Sequence, residues 1–391
     1  MSSADASQLQ TRPFVFTGKA GEYFSIWIVN VALTILTLGI YSAWAKVRTN
    51  QYFYGNTCLD DVSFRYLADP KQILKGRIVA FVLFAAYYFS GMISPQASAI
   101  MFLVLMLLFP AFLVMSMAFR ARNSAWRNVR FDFVKDFRKA YSIFIVPALL
   151  LGAIMVASIA FMPEQSAGMS EEEMKNLEPP WGVMAGMLVF FLLFPWFEYL
   201  VARFRVVHAK YGGEGFAFGA RTWSYYGMYI MAIFIMLLLG VLVFIVMAGV
   251  SAMLAVIGLS AAEDGVPSPL APLIPFVMFL FFMPFYLWIF AYFQARRTNL
   301  IFNNMSISGH RLQSDLKVGA LLALYLTNTF AILFSLGLLI PWAKIRTARY
   351  RASRTHLLAQ GDLGEFSSIQ RERQSAMGEE IGEMLDMDLG F

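Results

Sequence analysis

The sequence has little charge and few of the side chains on which catalytic and metal sites depend. Only 14% of its 391 residues are charged, whereas soluble domains average about 25%. Its one cysteine, Cys58, excludes an internal disulfide. Its three histidines, His208, His310 and His356, lie in separate polar connections, and none stands at metal-ligand spacing from a cysteine. We therefore expect no metal site, no cofactor and no enzymatic activity.

Motifs for phosphate and nucleic-acid chemistry are also missing. The glycine cluster at 212–215 lacks the lysine and the strand-to-helix setting of a phosphate-binding loop, so it predicts a turn. The net charge of +6 comes from residues that flank apolar runs, which does not favour nucleic-acid binding. The first 20 residues have no basic stretch followed by an apolar one, so we expect the first apolar run to be retained.

Long apolar runs dominate the chain. The mean hydropathy is +0.61, and a bilayer core about 30 Å thick needs roughly 20 apolar residues per helix. Eight runs have about this length: 24–44, 77–93, 97–119, 141–162, 181–202, 226–259, 270–293 and 318–343. They lack the alternation of outer-membrane strands. The sequence therefore predicts an all-α polytopic membrane protein, a bundle of about six to eight transmembrane helices with short cytoplasmic β-strands.

Charge in the connections predicts the orientation. The connections 45–76, 120–140, 203–225 and 294–317 together hold twenty Lys and Arg residues, whereas 94–96, 163–180 and 260–269 hold one, Lys175. Because the cytoplasmic side retains positive charge, we expect the basic connections to be cytoplasmic. The predicted parts are a cytoplasmic N-terminal segment with a short strand (1–23), a membrane domain with internal repeats (24–343) and a polar tail (344–391). The end of this tail, 370–391, is expected to be a flexible or amphipathic segment suited to a protein partner.

Two segments of the chain match each other. The pattern W-A-K-[VI]-R-T-x-x-Y occurs at 44–52 and 342–350, and at the same offset Asn30 matches Asn328. Short alternating stretches follow several apolar runs and predict strands that gather into a small cytoplasmic sheet. They include Phe14 and Phe16; Val62, Phe64 and Tyr66; Val129, Phe131 and Phe133; Phe216 and Phe218; and Met305 and Ile307.

The matched segments conflict with a simple count of crossings. If every run crossed once, the basic tail after Lys344 would lie outside the cell. We expect instead that the first and last runs are re-entrant hairpins, bent near 30–37 and 327–335, that enter and leave on the cytoplasmic side. A simple crossing with an exported tail is the alternative.

The motifs resemble a known family. F-V-F-T-G at 14–18, Asn30, L-T-L-G-I-Y at 36–41 and W-A-K-V-R-T at 44–49 are similar to the YjgN-like bacterial inner-membrane proteins, a family of unknown function. The resemblance covers most of the chain and implies a multi-pass protein of the bacterial inner membrane. It implies no activity.

Polar side chains inside apolar runs are the candidate site residues, because they are costly in hydrocarbon unless paired or facing a cavity. Asn30 and Asn328 either bind a substrate at a pseudo-symmetric site or hold helices together. Glu198 either pairs with an arginine near the interface or relays protons or cations. The basic helix ends are candidates for binding lipid head groups, at Arg120, Arg122, Arg205, Arg296 and Arg297.

Two functions follow from these features. The first is a transporter or channel-like protein for a small solute or lipid. The second is a non-transporting membrane scaffold or envelope-organising protein. Membrane lipids are the expected partners in either case.

Overall fold

A computed structural model describes residues 9–160, 181–256 and 274–388. The acidic connections 163–180 and 260–269 lie outside the described residues. The described chain forms the helices α1 (Ala20–Leu36), α2 (Ser42–Gly55), α3 (Pro70–Ile93), α4 (Pro95–Arg122), α5 (Phe137–Ala160), α6 (Trp181–Val207), α7 (Thr222–Val256), α8 (Ile274–Phe302), α9 (Val318–Phe334), α10 (Ile340–Ser353) and α11 (Leu363–Asp388).

Eleven short strands form one antiparallel sheet. They are β1 (Leu9–Phe16), β2 (Thr57–Leu59), β3 (Val62–Tyr66), β4 (Ser124–Trp126), β5 (Val129–Phe133), β6 (Ala209–Tyr211), β7 (Glu214–Gly215), β8 (Ala217–Phe218), β9 (Met305–Ile307), β10 (His310–Ser314) and β11 (Thr355–Gln360). Their order in the sheet is β7-β6-β5-β4-β3-β2-β1-β11-β10-β9-β8. The two end strands, β7 and β8, are separated in the chain by Phe216 alone, so the sheet curls into a nearly closed strand ring.

The strand ring shows that the all-α fold class is wrong. The sequence predicted short strands that gather into a small sheet, whereas the structure has one sheet of eleven strands, whose pairing depends on partners far apart in the chain. Leu9 pairs with Gln360, and Phe14 pairs with Leu59. Each pairing satisfies backbone groups that would otherwise stay unpaired where the chain leaves a helix. The protein is therefore a helical membrane protein with a substantial β component.

Local sequence explains how the chain returns at each hairpin of the ring. The residues between β2 and β3, Asp60 and Asp61, both have positive φ, as do Arg127 and Asn128 between β4 and β5. Two consecutive residues of positive φ give the turn whose twist matches paired antiparallel strands, and Asp, Asn and Gly adopt it most easily. The predicted turn at 212–215 lies between β6 and β7, where Gly212 has a φ of +59°.

The helices stand in pairs on the strand ring. The order strand, helix, helix, strand occurs five times, and each helix contacts the next around the ring until α10 contacts α1. Five helices among the described residues, α3 to α7, are long and apolar enough to cross a bilayer. They pack loosely, since α3 has no buried residue. The ring, more than helix packing, sets the spacing of the pairs.

The C-terminal helix closes the interior of the strand ring. Side chains from strands all around the ring form one apolar cluster, which includes Trp126 and Tyr211, and α11 adds Leu363 and Phe366 to it. The Phe366 ring stacks on Tyr211 at 5.8 Å between centroids. On the next turn, buried Gln370 accepts a hydrogen bond of 3.1 Å from the Gly213 backbone N–H. The ring is thus filled with side chains and capped by α11.

The first and last apolar runs form short helical hairpins. The turns lie at 37–41, between α1 and α2, and at 335–339, between α9 and α10, just beyond the predicted bends. Leu38 and Leu336 at these tips have positive φ and are exposed. Each hairpin starts and ends at the strand ring, as when the Thr17 N–H donates to the Asn56 carbonyl at 2.9 Å. Both ends therefore lie on the ring side.

The hairpin tips give a test of membrane depth. The variants Leu38→Cys and Leu336→Cys are made in a Cys58→Ser background and labelled with an impermeant maleimide from either face of the membrane. We expect both to react about tenfold more slowly than Ile93→Cys, which lies at the tip of the long helix α3. The reason is that a thiolate does not form in hydrocarbon. Rapid labelling of Leu38→Cys from the face opposite the strand ring would contradict the re-entrant hairpins.

His310 makes the stability of the strand ring sensitive to acid. The side chain is buried, its Nδ1 accepts a 3.1 Å hydrogen bond from the Gln360 N–H, and its ring lies 4.6 Å from Phe366. Burial lowers the pKa of His310 below its usual 6.5. The unfolded chain therefore binds a proton more readily than the folded chain, and stability is lost as pH falls below about 6.5.

We expect Tm to decrease between pH 7.5 and pH 5.5. The free energy of unfolding should fall by at most about 1.4 kcal/mol per pH unit, the limit for one proton. The variant His310→Gln, which stays neutral, should lose that part of the slope. The measurement is thermal unfolding in detergent at a series of pH values. An unchanged acid slope in His310→Gln would assign the effect to other groups.

Candidate functional site

Glu198 belongs to a three-residue polar cluster between helices. Its carboxylate forms an ion pair with Arg297 of α8, with 2.5 Å between Oε1 and Nε. The Tyr229 hydroxyl of α7 donates to the other carboxylate oxygen and accepts a 2.8 Å hydrogen bond from Arg297. The Arg297 guanidinium also lies 5.0 Å from the centre of the Phe293 ring. The cluster links α6, α7 and α8 at the end of the helices near the strand ring.

The two matched asparagines differ in their surroundings. Asn328 is buried, and its Nδ2 donates to the Ala343 carbonyl at 3.3 Å and to the Thr347 hydroxyl at 3.2 Å, while its Oδ1 accepts from Arg346 at 3.3 Å. Asn30 is equally buried, but neither of its amide atoms has a hydrogen-bond partner within the part of the chain that the structure describes. The structure therefore gives Asn328 a role in joining α9 to α10. Substrate binding by Asn30, Asn328 or Glu198 stays a prediction.

The predicted lipid-binding arginines divide into two groups. Arg297 is paired with Glu198, and Arg122 is paired with Asp132 at 2.7 Å. Arg120, Arg205 and Arg296 have no carboxylate partner in the described part of the chain. Arg296 lies 5.8 Å from the centre of the Tyr292 ring. Only the second group keeps its charge available for an anion.

A cavity lies between α3, α4, α5 and α6. It has a volume of about 650 Å³. Its walls are apolar and rich in aromatic rings, and they include Tyr87, Phe109, Phe144, Phe194 and Trp196. Pro110 and Pro147, which stand inside helices, also line it. Such a wall suits a hydrocarbon chain and offers nothing to a hydrated ion.

Two unpaired arginines lie closer to the strand ring than this cavity, on two of the helices that line it, and buried side chains such as Val114 and Phe204 pack at the levels between. Phe109 and Arg120 are eleven residues apart on α4, as are Phe194 and Arg205 on α6. Eleven residues are about three helical turns, so each arginine lies on the cavity face of its helix, about 16 Å nearer the strand ring. The Arg120 and Arg205 guanidinium groups are close enough for their like charges to interact, and both side chains are exposed. The arrangement therefore favours an anion between them.

The histidines do not meet in the described structure. His208 lies 3.5 Å from Asp136, whose carboxylate also accepts a 2.8 Å hydrogen bond from the Lys139 N–H. That backbone hydrogen bond, followed by the hydrogen bond and the charge of His208, holds the pKa of Asp136 below its usual value. The contact caps the first turn of α5 and is structural in character. Among the described residues, no three His, Cys, Asp or Glu side chains gather as metal ligands would.

Comparison with known proteins identifies the family of this chain and assigns no chemistry. The family model described as "Bacterial protein of unknown function (DUF898)" matches residues 11–384. The chain belongs to this family. That membership confirms the resemblance to YjgN-like proteins seen in the motifs.

The curated relatives are named inner membrane proteins. The chain is 32% identical over 146 residues to the inner membrane protein YjgN of Salmonella typhimurium, a match that covers 36% of each protein. It is 29% identical over 164 residues to YjgN of Escherichia coli strain K12, covering 39% of this chain and 40% of the relative. The matches thus span less than half the length of these relatives. No solved structure matches the chain.

These names and the apolar helices together support a protein of the inner membrane, in contact with lipids. They leave the orientation of the loops as a prediction.

The Glu198 cluster gives a test of the observed pairing. We expect Glu198→Gln and Arg297→Gln each to destabilise the protein, and a double-mutant cycle to give a coupling of about 1 kcal/mol, since the arginine is partly exposed and solvent screens the pair. Arg203→Gln, one turn beyond Glu198 on the same helix, is the control and should change stability by less than about 0.5 kcal/mol. Unfolding in denaturant would measure all four variants. Coupling of Glu198 to Arg203 and not to Arg297 would contradict the pairing.

Proposed function

We propose that this protein is a transporter or channel-like protein for a lipid or lipid-like amphiphile of the inner membrane. The observation that carries the proposal is the apolar cavity between α3 and α6, together with the unpaired Arg120 and Arg205 nearer the strand ring on two of its helices. A polar solute would gain nothing from aromatic walls, whereas an acyl chain fills them without desolvation cost. The cavity therefore favours the lipid among the two substrate classes that the sequence left open.

The two arginines suggest that the substrate is anionic. A phosphate or carboxylate between Arg120 and Arg205 would relieve the repulsion of the two guanidinium groups and form charge-assisted hydrogen bonds. An acyl chain running from there along α4 and α6 would reach Phe109 and Phe194, about 16 Å deeper. Head group and tail would then each meet a matching surface.

The prolines supply a means of opening the cavity. Pro110 and Pro147 each remove a hydrogen bond from the interior of a helix that lines it, which makes the helix easier to bend at that position. Pro195 is at the corresponding level of α6. Bending at these positions would widen the gap toward the surrounding lipid. We propose gating of this kind, with no catalytic role for the protein.

We also propose the orientation and the duplication that the sequence predicts. The charge bias supports a cytoplasmic strand ring. The matched W-A-K segments and the recurring order of strands and helices support an origin from internal repeats.

The scaffold function is the alternative. A scaffold needs surfaces for partners but has no use for an apolar cavity whose helices carry two unpaired cations nearer the strand ring, which is why we favour transport. The strand ring and α11 would be its partner surface. The two proposals differ in whether lipid moves.

The transport proposal is tested by filling the cavity with a bulky side chain. Ala148 lines it and is half-buried, so Ala148→Trp should occupy part of its volume and reduce lipid movement at least about fivefold. Ala86→Trp adds the same bulk at an exposed position of α3 and is the matched control. The measurement is movement of a fluorescent phosphatidylglycerol between the leaflets of vesicles that contain the purified protein.

A second pair of variants tests the anion. Arg120→Gln with Arg205→Gln should slow phosphatidylglycerol more than phosphatidylcholine, while Arg203→Gln should slow neither. If wild-type protein moves no lipid, or if Ala148→Trp moves it as fast as Ala86→Trp, the transport proposal fails. Lipid cross-linked in the cavity without movement would favour the scaffold.

A further inference from the structure

A second cavity lies on another part of the helix ring. It has a volume of about 540 Å³ and is formed by α8, α9 and α10, with Phe53 of α2 at its edge. It shares no lining residue with the cavity between α3 and α6. Unlike that cavity, it contains charged and polar side chains among its walls: Asn328, Thr329, Lys344, Thr347 and Arg351.

The charge in this cavity is all positive. Lys344 and Arg351 are seven residues apart on α10, which is two helical turns, so they lie on one face about 10 Å apart. Neither has a carboxylate partner among the described residues, and no Asp or Glu lines the cavity there. Lys344 lies 5.9 Å from the centre of the Tyr23 ring, a contact that leaves its charge uncompensated.

The cavity changes in polarity along its length. Arg351 is near the end of α10 that joins the strand ring, and Lys344 is two turns farther from the ring. Beyond Lys344, toward the hairpin tip, the walls are Ile332 and Ile340. Aromatic side chains of α8 and α9, Phe290 and Tyr325, complete the apolar part. The cavity is thus cationic at the ring end and apolar at the tip end.

Asn328 positions the cationic helix. Because its side chain is hydrogen-bonded to Ala343, Thr347 and Arg346 on α10, it fixes α9 against the turn of α10 that carries Lys344. Both N–H groups of the amide are therefore used, and neither is left to donate to an anion. The two cations are the groups that a ligand would meet.

We propose that this cavity binds the head group of an anionic phospholipid, with its phosphate between Lys344 and Arg351 and an acyl chain along Ile332 and Ile340. A phosphate neutralises two cations that nothing else in the described structure neutralises. The polarity gradient matches a lipid that enters from the ring-side leaflet. This site is independent of the proposed transport cavity and remains if that function is wrong.

The other short hairpin supplies an internal control. In the matched pattern, Lys46 on α2 corresponds to Lys344 on α10, but Phe53 stands where α10 has Arg351. The α1–α2 hairpin therefore has the lysine without the second cation. A site that requires both cations exists on α10 alone, and Lys46→Gln is a matched variant that removes the same charge from the wrong hairpin.

The experiment measures lipid binding by the full-length protein in neutral detergent. Phosphatidylglycerol and phosphatidylcholine with identical acyl chains are titrated, and the shift in Tm gives an apparent affinity for each. We expect wild type and Lys46→Gln to favour phosphatidylglycerol. Lys344→Gln with Arg351→Gln should lose that preference, with apparent affinity at least about tenfold lower for the anionic lipid and unchanged for the neutral one.

A charge-preserving variant distinguishes the loss of charge from misfolding. Lys344→Arg with Arg351→Lys keeps both charges and should keep the preference, which a general packing defect would not. Equal loss in Lys46→Gln, or undiminished preference in the double Gln variant, would overturn the proposal. So would competition by free inorganic phosphate at the same concentration as the lipid, since the site would then be a phosphate site without a place for the acyl chain.

Discussion

Strand pairing in the nearly closed strand ring is the constraint on which the rest of the structure depends. Each helix pair is attached at both ends to strands, and strand pairing joins neighbouring helix pairs except between β7 and β8, where the chain itself continues through Phe216. The pairing of β1 with β11 joins the two ends of the chain and leaves little free strand edge. Packing among the helices is too slight to do this, since a helix such as α3 buries no residue within the protein. Backbone hydrogen bonds, made in water, therefore hold apart helices that would otherwise be free to collapse together.

Clefts between the helices follow from that constraint. Because the ring fixes where each pair begins, neighbouring pairs meet only in part, and hydrocarbon from the bilayer is the natural filling of what remains. The chemistry of each cleft then depends on the helix ends beside it. On α4 and α6 the cations lie nearer the strand ring than the apolar cavity, whereas α10 carries Lys344 into the cleft itself. One scaffold thus gives two clefts of different chemistry, and these are the two proposed sites for amphiphiles.

The sequence predicts the parts of this fold better than their assembly. Alternating Val62, Phe64 and Tyr66 indicated a strand, because a two-residue period is local. Closure of the ring could not be predicted, since it depends on Leu9 meeting Gln360, and no local pattern encodes such a pairing. For the same reason, the sequence does not predict that Arg297 on α8 is the partner of Glu198. Lys344 and Arg351 could not be predicted as ligand-binding residues for a different reason. A basic tail indicates membrane topology, and only the cavity wall around these two residues suggests the proposed binding site.

The energies of the leucines at the hairpin tips indicate whether these tips favour water or lipid. Leu38 and Leu336 each occupy the left-handed region, with φ of 49° and 50°, and a leucine there costs about 1–2 kcal/mol. Their side chains are 95% and 94% exposed, so no contact within the protein offsets the strain. In water the exposed leucine would add a second unfavourable term. In hydrocarbon, burial of a leucine contributes about 1.5–3 kcal/mol, which exceeds the strain. The same costly conformation in both matched hairpins therefore favours the prediction that the tips lie in the lipid, and the glycines that follow, Gly39 and Gly337, complete a narrow turn.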